Sequence, residues 1–131
     1  MPTDAQWHAL AAAARAASAN AYAPYSRFAV GAAVLTADGR VFAGCNVENA
    51  SYGLTVCAER NAVFQAVAAG ARDLVALALF TPTPQPASPC GACRQVMAEF
   101  GVREVRCAAE DGHDARYTLE QLLPHAFGLA R

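Results

Sequence analysis

Cys57-Ala58-Glu59, followed later by Pro89-Cys90-Gly91-Ala92-Cys93, brings three thiols and one carboxylate into two short segments. Three thiolates form a ligand set for zinc, and a structural tetrahedral zinc is usually closed by four protein ligands. Three ligands leave one position for a water whose pKa the metal draws towards neutrality. No fourth cysteine belongs to the motif, so it predicts an open, hydrolytic zinc site held by Cys57, Cys90 and Cys93, with one Zn²⁺ per chain. Glu59 lies two residues after a ligand, on a different side of a helical turn from Cys57. That placement suits proton transfer at the open position, a role worth about 10²–10⁴-fold.

Three thiolates and Zn²⁺ carry a net negative charge, which taken alone makes a bound water less acidic than it is beside neutral histidines. Arg60 and the peptide N–H groups of the two helix starts are the expected donors that offset it, because hydrogen bonds to ligating sulfur withdraw electron density.

The elements that must position these residues are legible from periodicity. Thr3 with Gln6 forms a capping-box pattern, and Trp7, Leu10, Ala11, Ala14, Ala17 and Ala21 recur at helical spacing up to Ala23-Pro24. Residues 28–36 and 40–45 are β-prone runs joined across Asp38-Gly39, a hairpin signal. A helix is predicted over 57–69, closing at Gly70, so Cys57 falls at a helix N-terminus. The apolar run 74–80 predicts a strand buried on both faces, as crossover-connected parallel strands are. It feeds a loop over 81–89 containing four prolines, after which a short helix starts near Cys90 and ends at Gly101. Residues 102–109 and 115–117 predict two more strands, and Thr118 with Gln121 caps a last helical turn. The order implies one domain over 1–131: a three-layer α/β/α fold with a central mixed five-stranded sheet.

A lone Cys-x-x-Cys also suits a thioredoxin-like redox pair, but that motif normally follows the first strand rather than a late proline-rich loop. Cys45 and Cys107 sit inside strand patterns and read as core thiols. His8, His113 and His125 have no nucleophile motif beside them and read as surface or interface groups. Asn46 and Glu48, in the loop after the second strand, read by spacing alone as turn residues.

Of the 131 residues 55% are hydrophobic, much of this alanine, which suggests either faces buried between subunits or a compositional bias that also excludes lysine. The formal net charge is −1, with ten basic and eleven acidic residues and no basic run, which disfavours polynucleotide binding. No apolar stretch reaches the roughly 20 residues of a membrane span. Five cysteines without a secretory pattern fit a cytoplasmic, metal-binding chain.

Cys57-Ala-Glu59-Arg60 with Pro89-Cys90-Gly-Ala-Cys93-Arg94-Gln95 closely resembles the small, homotetrameric, zinc-dependent cytidine deaminases. The likeness extends to Ala21-Tyr22-Ala23-Pro24-Tyr25-Ser26-Arg27-Phe28, to residues 30–33, to residues 44–52 and to residues 122–127, and so covers nearly the whole chain. Only the stretch 53–56 departs, in a region that varies within the family. The resemblance implies hydrolytic deamination of cytidine and 2′-deoxycytidine to uridine and 2′-deoxyuridine with release of ammonia, a step of pyrimidine salvage. It implies that Asn46 and Glu48 hold the ribose 3′-hydroxyl, that Phe28 packs on the nucleoside, and that Glu59 and the Ala58 N–H read the pyrimidine edge. It further implies a pocket completed across subunits of a homotetramer, with Ala50 and Tyr52 from one neighbour and Phe127 from another. Two other readings stand beside it: deamination of a different amino-pyrimidine or nucleoside antibiotic, and a catalytically inactive zinc-stabilised binding module.

Overall fold

A computed structural model describes all 131 residues, and its first element shows how local chemistry sets a boundary. Helix α1 spans Asp4–Ser18; Thr3 accepts from the Gln6 amide while the Gln6 side chain accepts from the Thr3 amide, satisfying two orphan donors at once. The helix stops short of the Ala23-Pro24 break that periodicity suggests. Ser18 Oγ bonds back to the Arg15 carbonyl at 2.6 Å, and the Tyr22 amide is taken by the Asn46 carbonyl, so the chain leaves the helix to pair elsewhere.

Strands β1 (Gly31–Thr36) and β2 (Val41–Cys45) form the expected antiparallel hairpin, with Gly39 at φ +90° in the turn. β1 begins three residues later than its apolar run, because the Asn46 side chain bonds the Phe28 carbonyl and the Val30 amide in place of a ladder partner. Helix α2 (Ala58–Ala68) and helix α3 (Gly91–Glu99) have Cys57 and Cys90 as their N-cap residues. Strand β3 (Leu74–Phe80) is buried almost throughout, as its run of apolar residues predicts, but it is parallel only to β4 (Glu104–Ala108) and antiparallel to β1. Strand β5 (Asp114–Thr118) closes the sheet, and Thr118 and Gln121 form a capping box on α4 (Leu119–Leu122).

The sheet order is β2-β1-β3-β4-β5, mixed and five-stranded. Its faces carry separate cores. Trp7, Leu10 and Ala14 of α1 pack on Ala33, Leu35, Ala76, Ala78 and Phe80, while Ala62, Val63 and Ala66 of α2 and Met97 of α3 pack with Val34, Leu77 and Val105 on the other face. Each fully buried Leu or Val side chain contributes roughly 1.5–3 kcal/mol.

Register puts the ends that matter together. Gly31 lies opposite both Cys45 and Phe80, and Phe80 opposite Ala108, so the start of β1 and the ends of β2, β3 and β4 share one edge. α2 runs into β3, and α3 follows the loop leaving β3, so both helix N-termini reach that same edge. This is the crevice beyond the carboxyl ends of strands where open α/β sheets place ligands.

Candidate metal and nucleoside site

Cys57, Cys90 and Cys93 meet at this edge with their sulfurs all within 4.8 Å of one another. Cys57 Sγ is 3.8 Å from Cys90 Sγ, which is 3.3 Å from Cys93 Sγ. A tetrahedral ion with Zn–S bonds of about 2.3 Å spaces its sulfurs roughly 3.8 Å apart, so the donor set fits zinc with little movement. Arg60 donates to Cys57 Sγ at 3.5 Å, and its Nε is buried without a partner. A buried cation donor beside three sulfurs fits an anionic metal–thiolate group better than three neutral thiols.

The thiols are unequal. Hydrogen bonding from Cys93, with support from Arg60 and Cys90, lowers the Cys57 thiol to about 5 against the opposing effect of burial. The same contact with Cys57, together with burial and the Glu59 charge, pushes Cys93 upward. Neither Cys57 nor Cys90 accepts a hydrogen bond from the first-turn amides of its helix, which corrects the expectation that these amides help offset the thiolate charge. Cys57 Sγ faces Cys90 Sγ across the cluster, and Cys90 Sγ lies nearest to Cys93 Sγ in the first turn of α3.

Glu59 is 5% exposed in the first turn of α2. Burial raises its carboxyl above the usual carboxylate range, and the Cys57 charge acts in the same direction against the weaker pull of Arg60. Ala58, the first residue of α2, is fully buried, and its N–H belongs to the set that has no intrahelical partner.

Asn46 and Glu48 do more than turn the chain. Asn46 Oδ1 accepts from the Val30 amide at 2.9 Å and Nδ2 donates to the Phe28 carbonyl at 2.7 Å. Glu48 Oε1 accepts from the Tyr25 and Ser26 amides at 2.9 and 3.1 Å, and Oε2 accepts from the Ser26 hydroxyl. These bonds hold its carboxyl below its ordinary value. Val47 pairs with Val56, one residue before Cys57, so this loop is tied directly to the metal-site helix. Phe28 is 39% exposed at the same edge.

Tyr52 is 78% exposed and sits edge-on to Tyr25 with ring centroids 6.2 Å apart. Together with Ser26 and Glu48 they line an open hollow of about 390 Å³. Ala50 is exposed beside it, whereas Phe127, 71% exposed, lies in the C-terminal segment with its carbonyl bonded by Gln95 Nε2 at 2.9 Å. His8, His113 and His125 are exposed, Cys107 is buried and Cys45 is partly buried.

Spacing gave no sign of Arg94. Its guanidinium bonds the Pro89 carbonyl at 2.7 Å, the Leu122 carbonyl at 2.8 Å and Ser88 Oγ at 3.2 Å, and so fixes the loop that delivers Cys90. Nor did it reveal Asn61, whose Nδ2 bonds the Cys45 carbonyl at 2.8 Å and ties α2 to the end of β2. Leu122 and Cys45 are distant from them in sequence, so no short-range pattern could have announced these contacts.

Known proteins resemble this chain in sequence and fold. The cytidine and deoxycytidylate deaminase zinc-binding region matches residues 4–109. The cytidine deaminase of Halalkalibacterium halodurans is 53% identical over 109 residues, 82% of this chain and 83% of that protein. The crystal structure of cytidine deaminase from Burkholderia pseudomallei is similar with a TM-score of 0.87 and 55% identity, over 92% of this chain and 98% of that one. The cytidine deaminase from Mycobacterium tuberculosis gives 0.82 and 48%, over 98% of this chain and all of that one. With three converging thiols, a buried glutamate at the start of α2 and this match over most of its length, the chain belongs to the zinc-binding cytidine and deoxycytidylate deaminase family.

Proposed function

We propose that the chain is a zinc-dependent hydrolase that converts cytidine and 2′-deoxycytidine to uridine and 2′-deoxyuridine with release of ammonia, a pyrimidine-salvage reaction. The observation that carries this reading is the convergence of Cys57, Cys90 and Cys93 beside the buried Glu59. Zinc bound by the three cysteines supplies a water acidic enough to act as the nucleophile at neutral pH. Glu59, whose burial favours the protonated carboxyl, delivers a proton to ring N3, making C4 electrophilic; the carboxylate so formed would then take a proton from the attacking water and pass it to the departing amine. The Ala58 N–H and Glu59 contact the pyrimidine edge. Arg60 offsets the charge of the thiolates.

Phe28 packs on the nucleoside, while Asn46 and Glu48 face the ribose 3′-hydroxyl. Ala50, Tyr52 and Phe127, all exposed, complete the pockets of neighbouring subunits in a homotetramer. Support for a neighbour comes from an apolar hollow of about 790 Å³ lined by Ala13, Ala17, Ala43, Val47, Phe64 and Ala68 between α1 and α2. We place the protein in the cytoplasm, in keeping with five unpaired cysteines and with no helix long and apolar enough to cross a membrane.

The test is Glu59→Gln assayed by the ultraviolet loss of cytidine. Zinc content and fold should persist while turnover falls by about 10²–10⁴-fold. Near-normal turnover would remove Glu59 from its role. Zinc-loaded wild-type protein inert towards cytidine and 2′-deoxycytidine would overturn the reading itself.

A further inference from the structure

Glu48 faces the sugar in the function proposed above, yet every hydrogen bond its carboxylate receives comes from Tyr25 and Ser26. An ionised carboxylate offers about four acceptor sites. The two amides occupy Oε1 and the Ser26 hydroxyl takes one position on Oε2, leaving one for a ligand. Ser26 Oγ in turn accepts the Phe28 amide at 3.0 Å. A single hydroxyl therefore joins the carboxylate that meets the sugar to the backbone of the ring that packs on the nucleoside.

Backbone conformation makes this bridge possible. Between Ser26 and Phe28 the chain passes through Arg27 at φ +57°, a left-handed conformation uncommon for a residue with a Cβ. The Arg27 amide bonds the Ala23 carbonyl at 2.9 Å, closing the turn, and Asn46 grips the Phe28 carbonyl and Val30 amide beyond it. A strained residue persists where its surroundings over-determine it. Here those surroundings are the side chains of Asn46 and Glu48, and Ser26 is the link between the two grips.

We infer that Ser26 is a positioning residue for nucleoside binding: its hydroxyl holds Glu48 Oε2 and the Phe28 amide together, so that one acceptor site on Glu48 points to a single sugar hydroxyl. It does not touch the reacting atoms. Its loss should therefore weaken capture of the nucleoside while leaving the chemical step intact. This inference rests on the sugar-binding role proposed for Glu48, and its test separates the two.

Zinc-loaded wild-type, Ser26→Ala, Ser26→Thr and Glu48→Gln proteins are compared on cytidine and on 3′-deoxycytidine, with zinc content and unfolding temperature measured for each. Charge-assisted hydrogen bonds are about twice as strong as neutral ones, so Ser26→Ala should raise KM for cytidine roughly tenfold with kcat nearly unchanged. Ser26→Thr keeps the hydroxyl and should restore most of the loss. On 3′-deoxycytidine, which lacks the hydroxyl, only the Phe28 contact is disturbed, so the KM penalty of Ser26→Ala should be several-fold smaller than on cytidine; a merely structural role would penalise both substrates alike. Equal penalties on the two substrates, or a Ser26→Ala protein with wild-type KM for cytidine, would overturn the positioning role. A Glu48→Gln protein with wild-type KM would instead show that Glu48 does not hold the sugar, and the inference would fall with that premise.

Discussion

Gly44 is predicted to control the metal site through a contact that only the absence of a side chain permits. A Cβ at this position would lie 2.4 Å from the Ala62 amide nitrogen, 2.8 Å from the Asn61 carbonyl carbon and 2.9 Å from the Ala58 carbonyl oxygen. All three are backbone atoms of α2, so no side chain can rotate away to make room. Moving the first contact out to an ordinary 3.4 Å requires α2 to recede from β2 by about 1 Å. Cys57 occupies the N-cap position of that helix while Cys90 and Cys93 stand at the start of α3, so the displacement separates one ligand from the other two. Metal–ligand distances tolerate only about 0.2 Å, far less than this shift. Gly44→Ala should therefore lose about 1–3 kcal/mol of stability from overpacking. Its zinc affinity should fall roughly 100-fold, the upper end of what disturbing a ligand's support costs. Competition for zinc against a chromogenic chelator, run beside denaturant unfolding, measures both. Gly31→Ala is the control: its Cβ would lie 1.8 Å from the Ala14 carbonyl of α1, so it presses on the helix across the sheet from α2 and not on α2 itself. It should cost at least as much stability, with zinc affinity of the folded fraction changed by less than about threefold. A Gly44→Ala protein that is destabilised but binds zinc as tightly as wild type would refute the argument, because α2 would then have moved without moving Cys57.

Arg94→Met should lower stability by about 2–3 kcal/mol in denaturant unfolding, since it strands the Pro89 and Leu122 carbonyls. Arg94→Lys should restore little, because one ammonium cannot reach Pro89, Leu122 and Ser88 as a planar fork does. Cys107, buried and pushed up to about 12 chiefly by desolvation, should resist alkylation at pH 8 in the native protein and react only on unfolding. Because its folded value lies above the reference 9.0, it contributes stability that is complete below pH 9 and is lost as pH rises towards 12. Alkaline denaturation of Cys107→Ser, measured against wild type, should lack that component.

The parts of the fold legible in the sequence are those written in local chemistry. Both capping boxes, at Thr3 with Gln6 and at Thr118 with Gln121, form as their spacing predicts, and the strand over 74–80 has the bounds of its apolar run. What local patterns missed lies where side chains replace backbone partners. Asn46 satisfies the Phe28 and Val30 backbone, and so removes three residues from the β1 run that apolar periodicity assigns to it. The thiol cluster was legible because metal ligands need particular atoms at particular spacings. Asn46 and Glu48 were not legible from spacing, since their partners lie about twenty residues upstream and turn chemistry explains the same residue types; only the family likeness singled them out. Arg94, bonded to Leu122, and Gly44, seated on Ala62, depend wholly on tertiary contact.

The charge balance of the thiol cluster turns on the same geometry. Two helix N-termini converge on it, and each carries a partial positive charge. Direct hydrogen bonding is a different matter. Cys57 and Cys90 face one another across the cluster and neither caps its own helix, so the observed guanidinium donor is Arg60. In the function proposed above, four consecutive residues therefore carry a ligand, a pyrimidine-edge amide, a proton carrier and a counter-charge: Cys57, Ala58, Glu59 and Arg60. On an isolated first turn these would move independently of Cys90 and Cys93. Their relative position is set by where α2 rests, and it rests on the backbone of β2 at Gly44, with Asn61 bonded to Cys45 one residue further along that strand. The edge of the sheet thus registers the acid against the metal ligands, and the close approach that makes Gly44 intolerant of a methyl group also lets Glu59 be buried beside them.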